Sequence, residues 1–139
     1  MIESDIPLWQ NKGGYLAIPV TGHIKRNGAC AVGSKAGFEA RSRIPGFEYA
    51  VGGLFEKHGV CVVPVTDTCF AFPYKPSWDG PPDFELISRS LEELGRMTHP
   101  YHVYLAQPGV GRGEMKWEDV RERLRELDIH DNLIFVPNE

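Results

Sequence analysis

The sequence has few cysteines and no pattern that would pair them. Cys30, Cys61 and Cys69 form an odd set, and none of them belongs to a C-x-x-C motif. Such a set predicts reduced thiols and excludes both a disulfide framework and a cysteine-based zinc site. The five histidines are scattered along the chain, so we expect no metal site.

The chain also lacks an excess of positive charge and any long apolar run. Its 139 residues carry a formal net charge of −4, which argues against broad nucleic-acid binding. No apolar stretch reaches the length of a membrane span, and the first residues do not resemble a signal peptide. We therefore expect a cytoplasmic protein with no membrane contact, and a single domain over residues 1–139.

What the sequence does contain is an alternation of strand and helix patterns. Apolar or β-branched runs predict strands at residues 15–20, 60–65, 68–72, 101–106 and 133–136. Helical spacing predicts helices over residues 36–44, 47–58 and 117–127, and another that begins after Asp83 as its N-cap. Residues 1–14 read as an irregular lead-in anchored by Trp9, and the two residues between the second and third strands predict an antiparallel hairpin. The fold class is α/β, with helices packed on a mixed sheet.

Two loops stand out because each one follows a predicted strand and precedes a helix. The first, residues 21–35, is a long segment of small residues, and the second is Pro108-Gly109-Val110-Gly111-Arg112-Gly113. The second loop is neither a dinucleotide fingerprint nor a P-loop, and alone it could be an ordinary glycine-rich turn. In open α/β sheets, however, ligands bind where loops leave the carboxyl ends of strands. Two such loops together predict a clamp for a phosphate-containing small ligand.

Four segments, in this order, resemble the motifs of macrodomains. They are Asp5-Ile6, then Cys30-Ala31-Val32-Gly33 with the basic helix that follows, then Phe72-Pro73-Tyr74-Lys75, and finally Pro108 to Gly111 with the helix of Trp117. Within macrodomains, the chain resembles the ADP-ribosyl-deglycosylase-like branch and the phage and bacterial macro-like proteins. The resemblance implies a three-layer fold, with helices on both faces of a mixed, mostly parallel sheet. It also implies that the partner is ADP-ribose or an ADP-ribosylated target and that no cofactor is needed.

The resemblance also assigns ligand contacts to individual positions. Asp5 would accept a hydrogen bond from the adenine amino group, Ile6 would offer its backbone N–H nearby, and the two loops would hold the diphosphate and the distal ribose. The complete set of ligand-binding residues is Asp5, Ile6, Thr21, Cys30, Ala31, Val32, Gly33, Ser34, Gly109, Val110, Gly111, Arg112 and Gly113.

Catalysis is the weaker expectation, because the chain departs from the deglycosylase pattern. Those enzymes have an aspartate at the position of Gly113, and here the nearest carboxylate is Glu114. We predict Lys35, Glu114 and Asn27 as the catalytic residues, with Lys25, Lys75 and His23 as further candidates. Each has a plainer interpretation: the lysines in the first loop suit a solvated surface, Glu114 suits the first turn of a helix, and Cys30 suits packing.

Three functions therefore stay open. The first is a binding module for ADP-ribose, an ADP-ribosyl group or a related nucleotide diphosphate, and it is our prediction. The second is a hydrolase of ADP-ribose derivatives, either an ADP-ribosyl deglycosylase or an ADP-ribose-1″-phosphate phosphatase. The third is a macro-like scaffold with a different nucleotide ligand or none.

Overall fold

A computed structural model describes residues 1–111 and 114–138 of the chain. Within these ranges the strands form one six-stranded sheet in the order β1-β6-β5-β2-β4-β3. The strands are β1 Ile2–Glu3, β2 Tyr15–Thr21, β3 Val63–Pro64, β4 Cys69–Lys75, β5 Val103–Ala106 and β6 Leu133–Val136. The α-helices are α1 Lys35–Arg43, α2 Phe47–His58, α3 Phe84–Thr98 and α4 Trp117–Leu124, with a short 3-10 helix at Leu8–Gln10.

The sheet is parallel except at one edge. β2 lies between β4 and β5 and is parallel to both, and β6 is parallel to β5 and to β1. Only β3 pairs in the antiparallel sense, with β4, which confirms the predicted hairpin. The parallel strands therefore all end at the same edge of the sheet.

Helices cover both faces of the sheet, as predicted. One core lies under α1 and α2, where Ile18 and Val20 of β2 meet Phe47 and Val51. The other lies under α3 and α4, where Ala17 of β2 faces the opposite way. Alternate residues of each strand enter the two cores because side chains alternate across a strand. The apolar runs predicted as buried strands are explained by this burial on both faces.

The predicted helices form close to their expected bounds. Asp83 caps α3 as predicted, since its carboxylate accepts from the backbone N–H of Leu86 at 3.1 Å. The α3 helix buries Ile87, Leu91 and Leu94, which recur at helical spacing, while Phe84 is only partly buried. The α4 helix ends at Leu124, three residues before the predicted end at Leu127.

The prediction for residues 1–14 was wrong in one respect. The segment is not wholly irregular, because Ile2 and Glu3 pair with Ile134 and Phe135 of β6. Trp9 anchors the segment as predicted, since its partly buried ring packs against the core and lies under the Arg43 guanidinium at 5.0 Å. The neighbouring Leu8 has no exposed surface.

Two predicted strands are shorter than expected. Of residues 60–65, only Val63 and Pro64 form a strand, and they pair with Ala71 and Phe70 of β4. Of residues 101–106, only Val103–Ala106 belong to β5. Among the residues described, no helix combines the length and the apolar character needed to cross a membrane.

Candidate functional site

The carboxyl ends of the central strands bring the two predicted loops together. β2 ends at Thr21, β4 at Lys75 and β5 at Ala106, and these strands are neighbours in the sheet. The first loop leaves β2 and the second leaves β5, so both loops border the end of β4. This edge is where open α/β sheets bind ligands.

The first loop is ordered by its own hydrogen bonds. Its outer part forms a tight turn in which Lys25 N donates to Ala29 O at 2.8 Å, and the Asn27 side chain accepts from Ala29 N at 3.0 Å. Its inner part is buried, and the Thr21 hydroxyl donates to Ala31 O. Asn27 itself is exposed on the turn. These contacts fix the conformation of the loop, and the Asn27 side chain stabilises its outer turn.

Backbone amides of this loop are already used within the protein. Cys30 N donates to Glu48 O at 2.8 Å, and Ala31 N donates to His23 O at 2.9 Å. These two residues therefore shape the loop, and a ligand would have to meet other groups. The predicted contacts at Cys30 and Ala31 stay predictions.

Cys30 is a packing residue in its geometry and its electrostatics. Its Sγ lies 3.1 Å from Thr21 O, and the residue is only 2% exposed. Burial raises the pKa of the Cys30 thiol from 9.0 to about 12, against a smaller opposing effect of the Lys25 charge. A thiol that keeps its proton at neutral pH is a poor nucleophile.

The end of the first loop leads directly into α1. Ser34 is the N-cap of this helix, and its hydroxyl accepts from Gly37 N at 2.9 Å and donates to Pro19 O at 2.8 Å. Gly33 has φ +72, and a Cβ there would lie 2.7 Å from Thr21 Cγ2. The loop can therefore reach the helix in this form only with glycine at position 33. Lys35 is the exposed first residue of α1.

The second loop turns back on itself after β5. Gly109 has φ +79, Met115 N donates to Gly109 O at 3.1 Å, and Glu114 N donates to Gly111 O at the same distance. This turn brings Glu114 back over the end of β4. The predicted ligand contacts at Arg112 and Gly113 lie outside the described residues.

A shielded ion pair lies where the loops meet β4. Lys75 Nζ is 3.2 Å from Glu114 Oε2, and it also donates to Gly80 O at 3.1 Å. Only 8% of the Lys75 side chain and 10% of the Glu114 side chain are exposed. Burying two charges this deeply has a desolvation cost that only their mutual attraction and added hydrogen bonds offset. The sequence hypothesis included both residues as candidates but did not pair them.

Tyr74 is the third member of this cluster, and sequence reasoning missed it. Its hydroxyl lies 3.0 Å from Glu114 Oε1 and 3.2 Å from Gly33 O, so it touches both loops. Burial raises the pKa of Tyr74 far above its usual range, and the charge and hydrogen bond of Glu114 raise it further. The hydroxyl therefore keeps its proton.

An irregularity in β4 explains how two adjacent residues reach the same carboxylate. Val20 is paired with Pro73 and Thr21 with Lys75, so Tyr74 is an extra residue on the β4 side of this pair. In a regular strand, neighbouring side chains point to opposite faces. A bulge changes this direction and is a frequent feature beside functional sites. Local sequence patterns carry no signal for it.

A cavity of about 590 Å³ opens beside this cluster. That volume lies within the range of roughly 300–1,000 Å³ typical of small-molecule sites. Trp78, which is 52% exposed, forms part of the wall. The described residues that line the cavity are Gly33, Lys75, Trp78, Asp79, Gly80, Pro81, Pro82, Glu114 and Met115.

Of the predicted site residues, Gly33 and Glu114 line this cavity. Asp5 and Ile6 are exposed in the segment after β1. Among the described residues, Lys35 and Asn27 do not belong to the cavity wall, and no cluster of three or more His, Cys, Asp or Glu side chains could hold a metal ion. Sequence reasoning missed the segment of Trp78 to Pro82, which follows β4 as a proline-rich loop without a periodic pattern.

Asn138 connects the two loop regions from behind. Its Oδ1 accepts from Ala36 N at 2.8 Å, and its Nδ2 donates to Gln107 O at 3.1 Å. Ala36 lies in the first turn of α1, and Gln107 directly follows β5. One side chain therefore fixes the N-terminus of α1 relative to the start of the second loop.

Comparison with solved structures identifies the class of fold. Two of the matches over nearly the whole chain are macrodomains, and the chain has the three-layer macrodomain fold. The macrodomain of Mycobacterium tuberculosis DarG has a TM-score of 0.68 at 20% identity, and that of Thermus aquaticus DarG has 0.67 at 18%. In both cases the match covers 99% of this chain and 97% of the other.

A protein of unknown function from Bacteroides thetaiotaomicron also matches, with a TM-score of 0.57 at 14% identity, over 98% of this chain and 96% of the other. No protein-family model and no curated protein sequence matches the chain. The resemblance inferred from sequence motifs is thus confirmed for the fold.

Proposed function

We propose that the chain binds ADP-ribose or an ADP-ribosyl group in the cavity beside Lys75. The observation that carries the proposal is that both predicted loops converge there, with Gly33 and Glu114 joined through the Tyr74 hydroxyl. The macrodomain fold supports the class of ligand.

The charges at the cavity suit one part of this ligand in particular. The N-terminus of α1 follows Gly33 directly, and the first N–H groups of a helix carry partial positive charge. The Lys75 ammonium, which is paired with Glu114, adds a positive charge on the wall of the same cavity. We place the diphosphate between these two, the distal ribose near Glu114, and the adenine toward Asp5 and Ile6, as the sequence resemblance implies.

Calorimetric titration tests the binding proposal. We expect heat with ADP-ribose, and its loss in a Gly33→Ala protein that circular dichroism shows to be folded, since the added methyl group narrows the cavity wall. The matched control is Gly53→Ala on the exposed side of α2, where a Cβ meets nothing within 4 Å. Heat with AMP or NAD but not with ADP-ribose would favour the scaffold for another nucleotide. A folded protein that gives no heat with any of the three refutes nucleotide binding.

A second function, hydrolysis of an ADP-ribosyl derivative, is favoured by the shielded Lys75–Glu114 pair. Glu114 would accept a proton from Lys75 Nζ, and the free amine would attack the anomeric carbon of the distal ribose. The bond to the leaving group breaks, and the leaving group takes the proton from Glu114. The ribose ring then opens: the bond from the anomeric carbon to the ring oxygen breaks, the ring oxygen takes a proton from the nitrogen, and a Schiff base forms. Water then hydrolyses the resulting Schiff base, which releases ADP-ribose and restores Lys75. On a 1″-phosphate, the Lys75 charge would instead hold the phosphate.

Incubation with ADP-ribosylated protein and with ADP-ribose-1″-phosphate separates the enzyme from the binder. For a Schiff base, borohydride should trap a covalent adduct that Lys75→Ala abolishes. Lys35 and Asn27 lie outside the described cavity wall but remain proposed catalytic residues, so Lys35→Ala and Asn27→Ala test them in the same assay. Unchanged rates in both Lys35→Ala and Glu114→Ala would refute those two assignments. Binding without turnover of any substrate would leave the binding module.

A further inference from the structure

The Tyr74 hydroxyl has one proton but two acceptors within reach. Glu114 Oε1 lies at 3.0 Å and Gly33 O at 3.2 Å. A carbonyl oxygen can only accept, and an ionised carboxylate can only accept. When Glu114 is ionised, the Tyr74 hydroxyl can therefore donate a full hydrogen bond to only one of these two oxygens.

Protonation of Glu114 removes this conflict. A protonated carboxyl group has an O–H donor, which can point to the Tyr74 oxygen. The hydroxyl proton of Tyr74 is then free to bond to Gly33 O. The Glu114 carboxyl, the Tyr74 hydroxyl and the Gly33 carbonyl are then all hydrogen-bonded. The donor direction of Tyr74 is thus set by the charge on Glu114.

The surroundings of Tyr74 hold its hydroxyl between these two acceptors. The residue is 1% exposed, so the ring cannot swing into solvent without opening the core. Position 33 has no Cβ, and one placed there would lie 3.1 Å from the hydroxyl oxygen. The bulge in β4 places the adjacent Lys75 on the same carboxylate. Glu114 therefore contacts the Lys75 ammonium through Oε2 and the Tyr74 hydroxyl, which also reaches the first loop, through Oε1.

We infer that Tyr74 is a positioning residue that couples the protonation of Glu114 to the first loop. When Glu114 is ionised, Tyr74 donates to it and its hold on Gly33 is weak. When Glu114 takes up a proton, Tyr74 donates to Gly33 O and draws the first loop toward the cavity. The inference rests on the proposed use of the Lys75–Glu114 cavity. The coupling follows a proton on Glu114 Oε1, which faces Tyr74, and not one on Oε2, which faces Lys75.

Few other charges face this cluster. Among the described residues, the charged groups on the cavity wall are Lys75, Asp79 and Glu114. Tyr74 itself stays protonated, since burial raises its pKa far above its usual range. Asp79 is the one other described carboxylate on the wall, so Asp79→Asn controls for its titration.

Carbon NMR of the ligand-free protein tests the coupling directly. The protein carries ¹³C at glycine carbonyls and glutamate carboxyls, and Glu114→Gln assigns the Glu114 signal. We expect the Gly33 carbonyl signal to shift with the same pH midpoint as the Glu114 carboxyl signal. A Gly33 signal that stays constant while Glu114 titrates overturns the inference. So does a Glu114 signal that does not titrate while the protein stays folded, because the switch is then absent.

A variant isolates the hydroxyl. In Tyr74→Phe, Glu114 should still titrate while the Gly33 signal stays constant. The matched control is Tyr15→Phe, which removes a hydroxyl at the opposite end of β2 and should leave the coupling intact. A Gly33 signal that follows Glu114 in Tyr74→Phe shows that another path carries the effect and overturns the role of Tyr74. The wild-type titration decides whether Gly33 follows Glu114 even if Tyr74→Phe folds poorly, and the absence of that coupling alone overturns the inference.

Ligand measurements separate this inference from the proposed function. Tyr74→Phe should weaken ADP-ribose binding by about fivefold, which corresponds to ~1 kcal/mol, the worth of one hydrogen bond. It should also remove the part of the pH dependence of affinity that follows Glu114. If the wild type binds no ADP-ribose but the two NMR signals titrate together, the proposed function fails and the coupling stands. If ADP-ribose binds but the signals are uncoupled, the reverse holds.

Discussion

Replacement of Gly33 by alanine tests the way in which the first loop meets the cluster. The residue has φ +72, a region that costs an alanine about 1–2 kcal/mol. The new Cβ would lie 2.7 Å from Thr21 Cγ2 and 3.1 Å from the Tyr74 hydroxyl. Because Thr21 is fully buried, its methyl group has little room to move, and overpacking of this kind costs about 1–3 kcal/mol. We expect Gly33→Ala to lower the free energy of unfolding by about 2–5 kcal/mol.

Two other glycines divide this cost into its parts. Gly28 has φ +88, and a Cβ added there would meet nothing within 4 Å, so Gly28→Ala should cost only the backbone term of about 1–2 kcal/mol. Gly53 is helical and has equally open space, so Gly53→Ala should stabilise the protein by about 0.5–1 kcal/mol. Urea denaturation followed by tryptophan fluorescence gives all three values. A Gly33→Ala protein no less stable than Gly28→Ala would refute this reasoning, since crowding at Thr21 would then be absent.

Three further predictions concern other contacts. Glu114→Leu should cost about 3–5 kcal/mol in urea denaturation, because it leaves the Lys75 charge buried, and adding Lys75→Met should recover most of that loss; an equal loss in the double variant contradicts it. Asn138→Leu should cost about 1–3 kcal/mol for each backbone group it leaves without a partner, and Asn138→Asp should cost less, since it keeps the acceptor for Ala36 N. Because the folded pKa of Cys30 is about 12 and its ordinary value is 9.0, the folded state holds this proton more tightly. The contribution of the Cys30 proton to the free energy of unfolding is therefore fully present below about pH 9 and is lost as the pH rises toward about 12. The decline in stability over this range should be smaller in Cys30→Ala than in the wild type.

Local patterns in the sequence predicted the elements that depend on local physics. The α2 helix lies within the predicted bounds because the spacing of Phe47, Val51 and Phe55 defines one buried face. The last strand also has the predicted bounds, as a short apolar run buried on both faces. The pairing of β1 was not predictable in this way, because two exposed residues carry no pattern and their partner lies at the other end of the chain.

The candidate site likewise combines residues that local sequence patterns identified with contacts that they could not predict. The motif order identified the two loops and included Gly33 and Glu114 among the site residues, and both line the cavity. The contact between Lys75 and Glu114 spans 39 positions in the sequence and depends on the turn of the second loop. Tyr74 belongs to one of the motifs but was not predicted as a site residue, since in a regular strand its side chain would point away from that of Lys75. Its position beside Glu114 depends on the bulge in β4, where Tyr74 has no partner in β2, and the alternation of side chains in the sequence does not predict a bulge.

The bulge in β4 also makes the site sensitive to a kind of mutation different from substitution. Deleting Tyr74, the residue between Pro73 and Lys75, would let β4 pair with β2 without interruption, and the sheet itself would become more regular. The same deletion would leave a single side chain at the end of the strand where two now meet the carboxylate. Among descendants of this gene, a change of strand length by one codon would thus abolish the cluster while preserving the fold. Related chains can be sorted by this length alone, before any site residue is compared.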